Sequence, residues 1–131
     1  MTALDTNVLV RFLVRDDAAQ CDATTRRIKA IVAAEDSVFI PDVVLVETVW
    51  VLRRSYRFDR NAIASVVGEL VESREVRFAD TGAVQRSLEA FQAGRGDFSD
   101  YLIREQARGA GCLAVLTFDE AVLAEAGFEA V

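Results

Sequence analysis

The sequence predicts an α/β fold, a three-layer α/β/α domain built on a central, mostly parallel sheet of four to five short strands. Short apolar, β-prone runs recur between longer segments of helical period, the pattern of repeated β–α units. Consecutive strand-like runs are separated by helical segments rather than by two-residue hairpin turns, so neighbouring strands are expected to run parallel. The 131 residues, 52% apolar and 27% charged, suit one globular domain over 1–131 with a substantial core.

Ala3–Leu4 reads as a short first strand ending in the turn residues Asp5, Thr6 and Asn7, with a helix from Val8 to about Val14. Asp16 and Asp17 break the chain and cap a helix over Ala18–Ala34, where Thr24, Ile28, Ile31 and Val32 recur at helical spacing. Ser37–Ile40 is a second strand, after which Pro41 and Asp42 open a helix running to about Arg54. Asp59 caps a helix whose apolar stripe is Ile63, Val66, Val67, Leu70 and Val71. Val76–Ala79 is a third strand, and Thr81 is expected to cap a helix that turns Val84, Leu88 and Phe91 inward and stops at Gly94. A loop over Gly94–Phe98 precedes a helix over Ser99–Arg108, closed by Gly109 and Gly111. Cys112–Leu116 is predicted as a strand, Glu120–Glu125 as a short helix, and Phe128–Val131 as a final edge strand. Trp50 and the apolar residues of its helix are candidates for a dimerisation surface, with the core the favoured assignment.

Five acids occupy the places where such a fold collects function. Asp5 and Asp119 directly follow predicted strands, and open parallel sheets bind ligands at the carboxyl ends of their strands. Glu47 is the only ionisable residue of Val43–Leu52, with no Lys or Arg three or four positions away. Such surroundings are costly for a carboxylate unless it is paired or binds metal. Asp97 and Asp100 lie three apart at a helix start, where one can act as an N-cap and the other as a first-turn acid. Each acid also has an ordinary explanation: a turn, a cap or a solvent-facing stripe. Converging ionised carboxylates would need cations to neutralise them, and an all-oxygen set prefers Mg²⁺ or Mn²⁺, one or two ions per site. The chain contains no histidine, which excludes metal-free, histidine-based ribonuclease chemistry and favours water activated by metal for phosphodiester hydrolysis.

The net charge of −6 runs against the basic footprint usual for nucleic-acid binding. All basic residues except Lys29 are nevertheless arginines, the side chain suited to phosphate. Arg11 with Arg15, Arg26 with Arg27, and Arg53 with Arg54 and Arg57 are candidate contacts, or simply solvated helix faces. The longest apolar runs, Val43–Val46 and Val49–Leu52, fall well short of the roughly 20 residues of a membrane span. Cys21 and Cys112 have no paired spacing, and the N-terminus lacks signal-peptide character, so a cytoplasmic location is expected.

Four segments in order carry a resemblance to a known family: Leu4-Asp5-Thr6-Asn7-Val8-Leu9, Ile40-Pro41 leading to Val46-Glu47, Asp97-Phe98-Ser99-Asp100-Tyr101-Leu102-Ile103, and Leu116-Thr117-Phe118-Asp119. Over essentially its whole length the chain resembles the PIN-domain family, and within it the VapC-type toxin ribonucleases of prokaryotic toxin–antitoxin pairs. That resemblance implies an endoribonuclease dependent on Mg²⁺ or Mn²⁺, RNA as substrate, a homodimer, and a small cognate antitoxin. It implies Asp5, Glu47 and Asp100 as core metal ligands and Asp119 as the fourth acid, with Thr6, Asn7 and Thr117 as supporting hydrogen-bonders. Asp97 is left between ligand, neighbouring acid and helix cap. A phosphatase using Asp5 as nucleophile would need a second acid two residues on, where the sequence has Asn7. A catalytically inactive PIN-like module that only binds RNA or a partner is the non-enzymatic alternative, and retention of all the acids argues against it.

Overall fold

A computed structural model describes residues 1–131 as five strands and six helices. The strands are β1 (Thr2–Ala3), β2 (Val38–Ile40), β3 (Val76–Phe78), β4 (Val115–Thr117) and β5 (Phe128–Ala130). The helices are α1 (Thr6–Leu13), α2 (Ala18–Ala33), α3 (Asp42–Arg54), α4 (Arg60–Glu72), α5 (Thr81–Ala93) and α6 (Phe98–Gly109). Every strand pairing is parallel, and the pairings form two sheets, β1-β2-β3 and β4-β5. The α/β class and the number of strands agree with the sequence. Two compact units hold these sheets, Met1–Ala79 and Asp80–Val131. No helix is long and apolar enough to cross a membrane.

In the first unit β2 is the central strand, with Val38 and Ile40 buried. α1 packs on α2 and α3, and α3 on α4. Val44, Leu45, Thr48, Val49 and Leu52 form the buried face of α3, and Ile63, Val67 and Leu70 that of α4. A cavity of about 550 Å³ lies among Leu9, Phe12, Ile28, Val38, Ile40 and Val76; its lining is mostly apolar and includes none of the five acids. In the second unit α5 packs on α6, and Val84, Phe91, Phe98, Tyr101, Leu102, Val122 and Phe128 are buried.

Aspartate starts most of the helices: Asp5, Asp17, Asp59, Asp80 and Asp97 occupy the N-cap positions of α1, α2, α4, α5 and α6. Carboxylates there satisfy orphan N–H groups and face the positive end of the helix dipole. Five of the 21 acidic residues therefore have a local role at a helix start.

Several predicted boundaries move for identifiable reasons. Asp5-Thr6-Asn7 is the start of α1 rather than a separate turn, because the Asp5 carboxylate accepts from the Val8 N–H and launches the helix at once. The cap of α5 is Asp80, accepting from the Ala83 N–H, and Thr81 is the first helical residue. The strand predicted over Cys112–Leu116 begins only at Val115. The chain before it closes α6, with Gly111 N–H on Arg108 O (3.0 Å), Cys112 N–H on Ala107 O (2.8 Å) and Gly111 at φ 89°. That is a Schellman closure, which needs its glycine in the left-handed region. Glu120–Glu125 forms no helix. Its hydrogen bonds span three residues (Val122 N–H to Asp119 O, Glu125 N–H to Val122 O), so it is a run of turns ending at Gly127, φ 89°. A segment this short cannot recover the cost of helix nucleation.

Candidate active site

Asp5, Thr6, Asn7 and Glu47 belong to the first unit, and Asp97, Asp100, Thr117 and Asp119 to the second. In the first unit Asp5 follows β1 and is exposed, its carboxylate turned to the Val8 N–H at 2.9 Å. Thr6, one residue on, donates its hydroxyl to Glu47 Oε2 at 3.3 Å and so ties the start of α1 to the middle of α3. Asn7 is exposed on the first turn of α1.

Glu47 itself is exposed, which corrects the apolar surroundings inferred for it. Its hydrophobic sequence neighbours face the other way, and Glu47 shares an outer stripe with Val43, Trp50 and Arg54. A 3.6-residue period separates these two sets where linear proximity mixes them. Trp50, assigned to the core, is 57% exposed, with the Arg54 guanidinium stacked 4.7 Å over its ring.

In the second unit Asp97 stands at the N-cap of α6 and Asp100 three residues in. Asp100 Oδ2 accepts from the Asp97 N–H at 2.8 Å, so both acids serve the helix start. Burial, followed by the negative charges of Asp97, Asp119 and Glu125, raises the Asp100 carboxyl above its ordinary value, against the lowering pull of the Asp97 backbone hydrogen bond. Like-charge crowding thus adds to burial at Asp100. Asp119 leaves β4 through a tight turn: its N–H donates to Thr117 Oγ1 (2.9 Å) and its carboxylate accepts from the Ala121 N–H (2.9 Å). Thr117 thus contacts the backbone of Asp119, not its carboxylate.

Two residues of this neighbourhood escaped the sequence reading. Tyr101, fully buried beside Asp100 in sequence, accepts from the Gly96 N–H (2.8 Å) and donates to the Glu125 carboxylate (2.9 Å). Glu125 is in turn one of the charges felt by Asp100. The tyrosine could have been marked by its place between Asp100 and an apolar pair. Nothing local marks Glu125, which reaches the site through a turn that was expected to be a helix.

Within neither unit are three acidic or thiol side chains gathered closely enough to hold an ion. The donor chemistry nevertheless fits a hard divalent cation: the groups are all carboxylate oxygens, and the like-charge crowding at Asp100 is what a bound cation relieves.

Residues 2–129 match the family profile described as PIN domain, a span that runs through both units. The chain is also 23% identical over 118 residues to a VapC ribonuclease of Aquifex aeolicus (strain VF5), covering 90% of this chain and 87% of that protein.

Proposed function

The chain belongs to the PIN-domain family, and from that premise we propose that it is a metal-dependent endoribonuclease, the toxin of a VapBC-type toxin–antitoxin pair. The observation that carries the reading is the placement of the acids within the family span. Asp5 and Asp119 follow parallel strands, Asp97 and Asp100 start α6, and the negative charges of Asp97, Asp119 and Glu125 bear on Asp100. The likeness to a VapC ribonuclease over nine-tenths of the chain supports RNA as substrate and a small antitoxin as partner. A homodimer and a cytoplasmic site of action belong to the same proposal.

In this reading Asp5, Glu47, Asp100 and Asp119 hold Mg²⁺ or Mn²⁺, with Asp97 as cap and neighbouring acid. When bound, the cation neutralises these carboxylates, activates water and stabilises charge on the phosphate being cleaved. Thr6 orients the Glu47 carboxylate through its 3.3 Å hydrogen bond, and Asn7 lies beside it on α1. Thr117 fixes the backbone turn that presents Asp119. The capping role of Asp100 fixes its side chain against the helix start, so its orientation costs little further entropy when a cation arrives.

Incubation of purified protein with RNA in Mn²⁺, in chelator, and as the Asp5→Asn variant tests the proposal. Cleavage in Mn²⁺ that disappears in both other arms is expected. Cleavage that persists in chelator refutes the metal mechanism. Specific RNA binding with no cleavage under any condition marks the chain as a PIN-like binding module.

A further inference from the structure

The second unit holds a charge cluster that the nuclease reading does not use. Glu105, on α6, has a side chain only 4% exposed, yet three guanidinium groups meet it. Arg86 Nε lies 2.9 Å from Oε2, Arg108 NH1 3.0 Å from Oε1, and Arg104 Nε 3.5 Å from Oε1. A buried carboxylate needs a cation, but it does not need three. The surplus is two positive charges, in a chain whose net charge is −6.

The three arginines are not equivalent. Arg104 is buried, stacks on the Tyr101 and Phe128 rings at 5.2 and 5.4 Å, and donates to Ala126 O at 3.0 Å, so it fastens α6 to the segment entering β5. Arg86 and Arg108 have side chains 56% and 47% exposed. Each commits one of five N–H donors to Glu105 and is held by it in a set orientation. Gly82 leaves room for this arrangement: a Cβ there would lie 3.0 Å from Arg86 NH1. Exposed arginines usually lose side-chain entropy on gripping a ligand; here Glu105 has already imposed that order.

The geometry points to Arg86 and Arg108, oriented by buried Glu105, as a clamp for the phosphodiester backbone of single-stranded RNA beside the acids of α6. Planar, always-charged guanidiniums match phosphate oxygens. Arg108 lies eight residues beyond Asp100 on the same helix, roughly 12 Å of rise and 80° of rotation. A strand gripped by the arginines therefore passes within a few nucleotides of Asp97 and Asp100. The inference rests on the nuclease reading for the identity of the anion, and its test does not depend on cleavage.

The test is fluorescence anisotropy of the full chain with a labelled single-stranded RNA in excess chelator, titrated with salt, comparing wild type with the double variant Arg86→Gln/Arg108→Gln. The expected loss is about tenfold in affinity, with the slope of log K against log salt falling by about 0.7 per arginine, about 1.4 in all. Arg86→Lys/Arg108→Lys restores the slope, because the charges return, and also controls for folding by keeping the ion pairs to Glu105. With Mn²⁺ present, the glutamine pair raises KM far more than it lowers kcat. An unchanged affinity and slope in the glutamine pair, with thermal stability alone reduced, overturns the inference and leaves a purely structural cluster. Arginine-dependent binding of polyglutamate without binding of RNA overturns it in favour of an acidic peptide partner. RNA binding with the expected slope but no cleavage in Mn²⁺ supports the clamp while refuting the nuclease.

Discussion

Removing one oxygen atom from Tyr101 tests how the start of α6 is built. The ring is fully buried, and its hydroxyl accepts from the Gly96 N–H at 2.8 Å while donating to the Glu125 carboxylate. The loop is moulded around that oxygen at Gly94, where a Cβ would collide with the Tyr101 hydroxyl; at Gly96 a Cβ would collide with Val122 Cγ1 and sit tight against the Tyr101 ring edge. Tyr101→Phe keeps the edge-on contact with Phe128, at 6.3 Å and 77° between planes, so ring packing is nearly conserved. What changes is that a buried N–H and a part-buried carboxylate lose this partner, at a cost of about 1–3 kcal/mol. At roughly 4 °C per kcal/mol for a chain of this size, Tm falls by about 4–12 °C. Thermal unfolding followed by circular dichroism measures the shift, and amide exchange at Gly96 reports the loop directly. Cleavage measured well below Tm also falls, because Asp97 and Asp100 begin where the loop ends. A Tm within about 1 °C of wild type, with Gly96 exchange unchanged, would refute the assignment of the hydroxyl as the loop's anchor.

Asp100→Asn keeps an acceptor for the Asp97 N–H but removes a charge that burial and three neighbouring acids oppose. Because the folded pKa is raised, ionisation costs stability at neutral pH and the cost fades as pH falls through that pKa. The apo variant is therefore at least as stable as wild type at pH 7, measured in chelator, and this advantage closes in acid. Mn²⁺ at a hundredfold over its Kd raises the wild-type Tm by about 10 °C, from about 2.7 kcal/mol of linkage, and leaves the variant unmoved while cleavage drops by more than about 100-fold. Asp16 shifts the opposite way: the Tyr56 hydroxyl at 2.6 Å, and then Arg11, hold its carboxyl below the ordinary value. Its contribution is present above the unfolded pKa and lost as pH falls through the lower, folded one, so the Tm difference between wild type and Asp16→Asn is full near pH 6 and shrinks as pH falls through the folded pKa. Leu45→Ala, at a fully buried site on the inner face of α3, lowers stability by about 2–5 kcal/mol, whereas Val43→Ala on the outer face changes it by less than about 0.5. Equal effects in urea denaturation would invert the assigned faces of α3.

The sequence by itself determined the element types and the acids worth testing. Period-2 and period-3.6 patterning depends on which residues are adjacent along one element, and α2, α3, α4 and α5 fall close to where that patterning puts them. Four acids at strand ends and helix starts were legible for the same reason, since a cap or a strand end is a local feature. Local pattern misled at two short segments, where a helix closure and a run of turns take the backbone hydrogen bonds. Cys112 looks like strand but closes α6, and Glu120–Glu125 looks like helix but is too short to nucleate one.

Tertiary structure alone decided facing and partnership. Glu47 seemed buried because valines and a tryptophan flank it in sequence, yet the helix sends those side chains around its circumference and leaves the carboxylate outside, reached by Thr6 from 41 residues away. Arg11, a candidate for phosphate, is occupied by Asp16, Gln20 and Tyr56. Arg86 and Arg108, which no local pattern singled out, are the pair that buried Glu105 holds in place. Charge along a chain shows only which groups exist; which ones neutralise each other depends on distances of a few ångströms that the fold sets, and the charge left over is what a ligand meets.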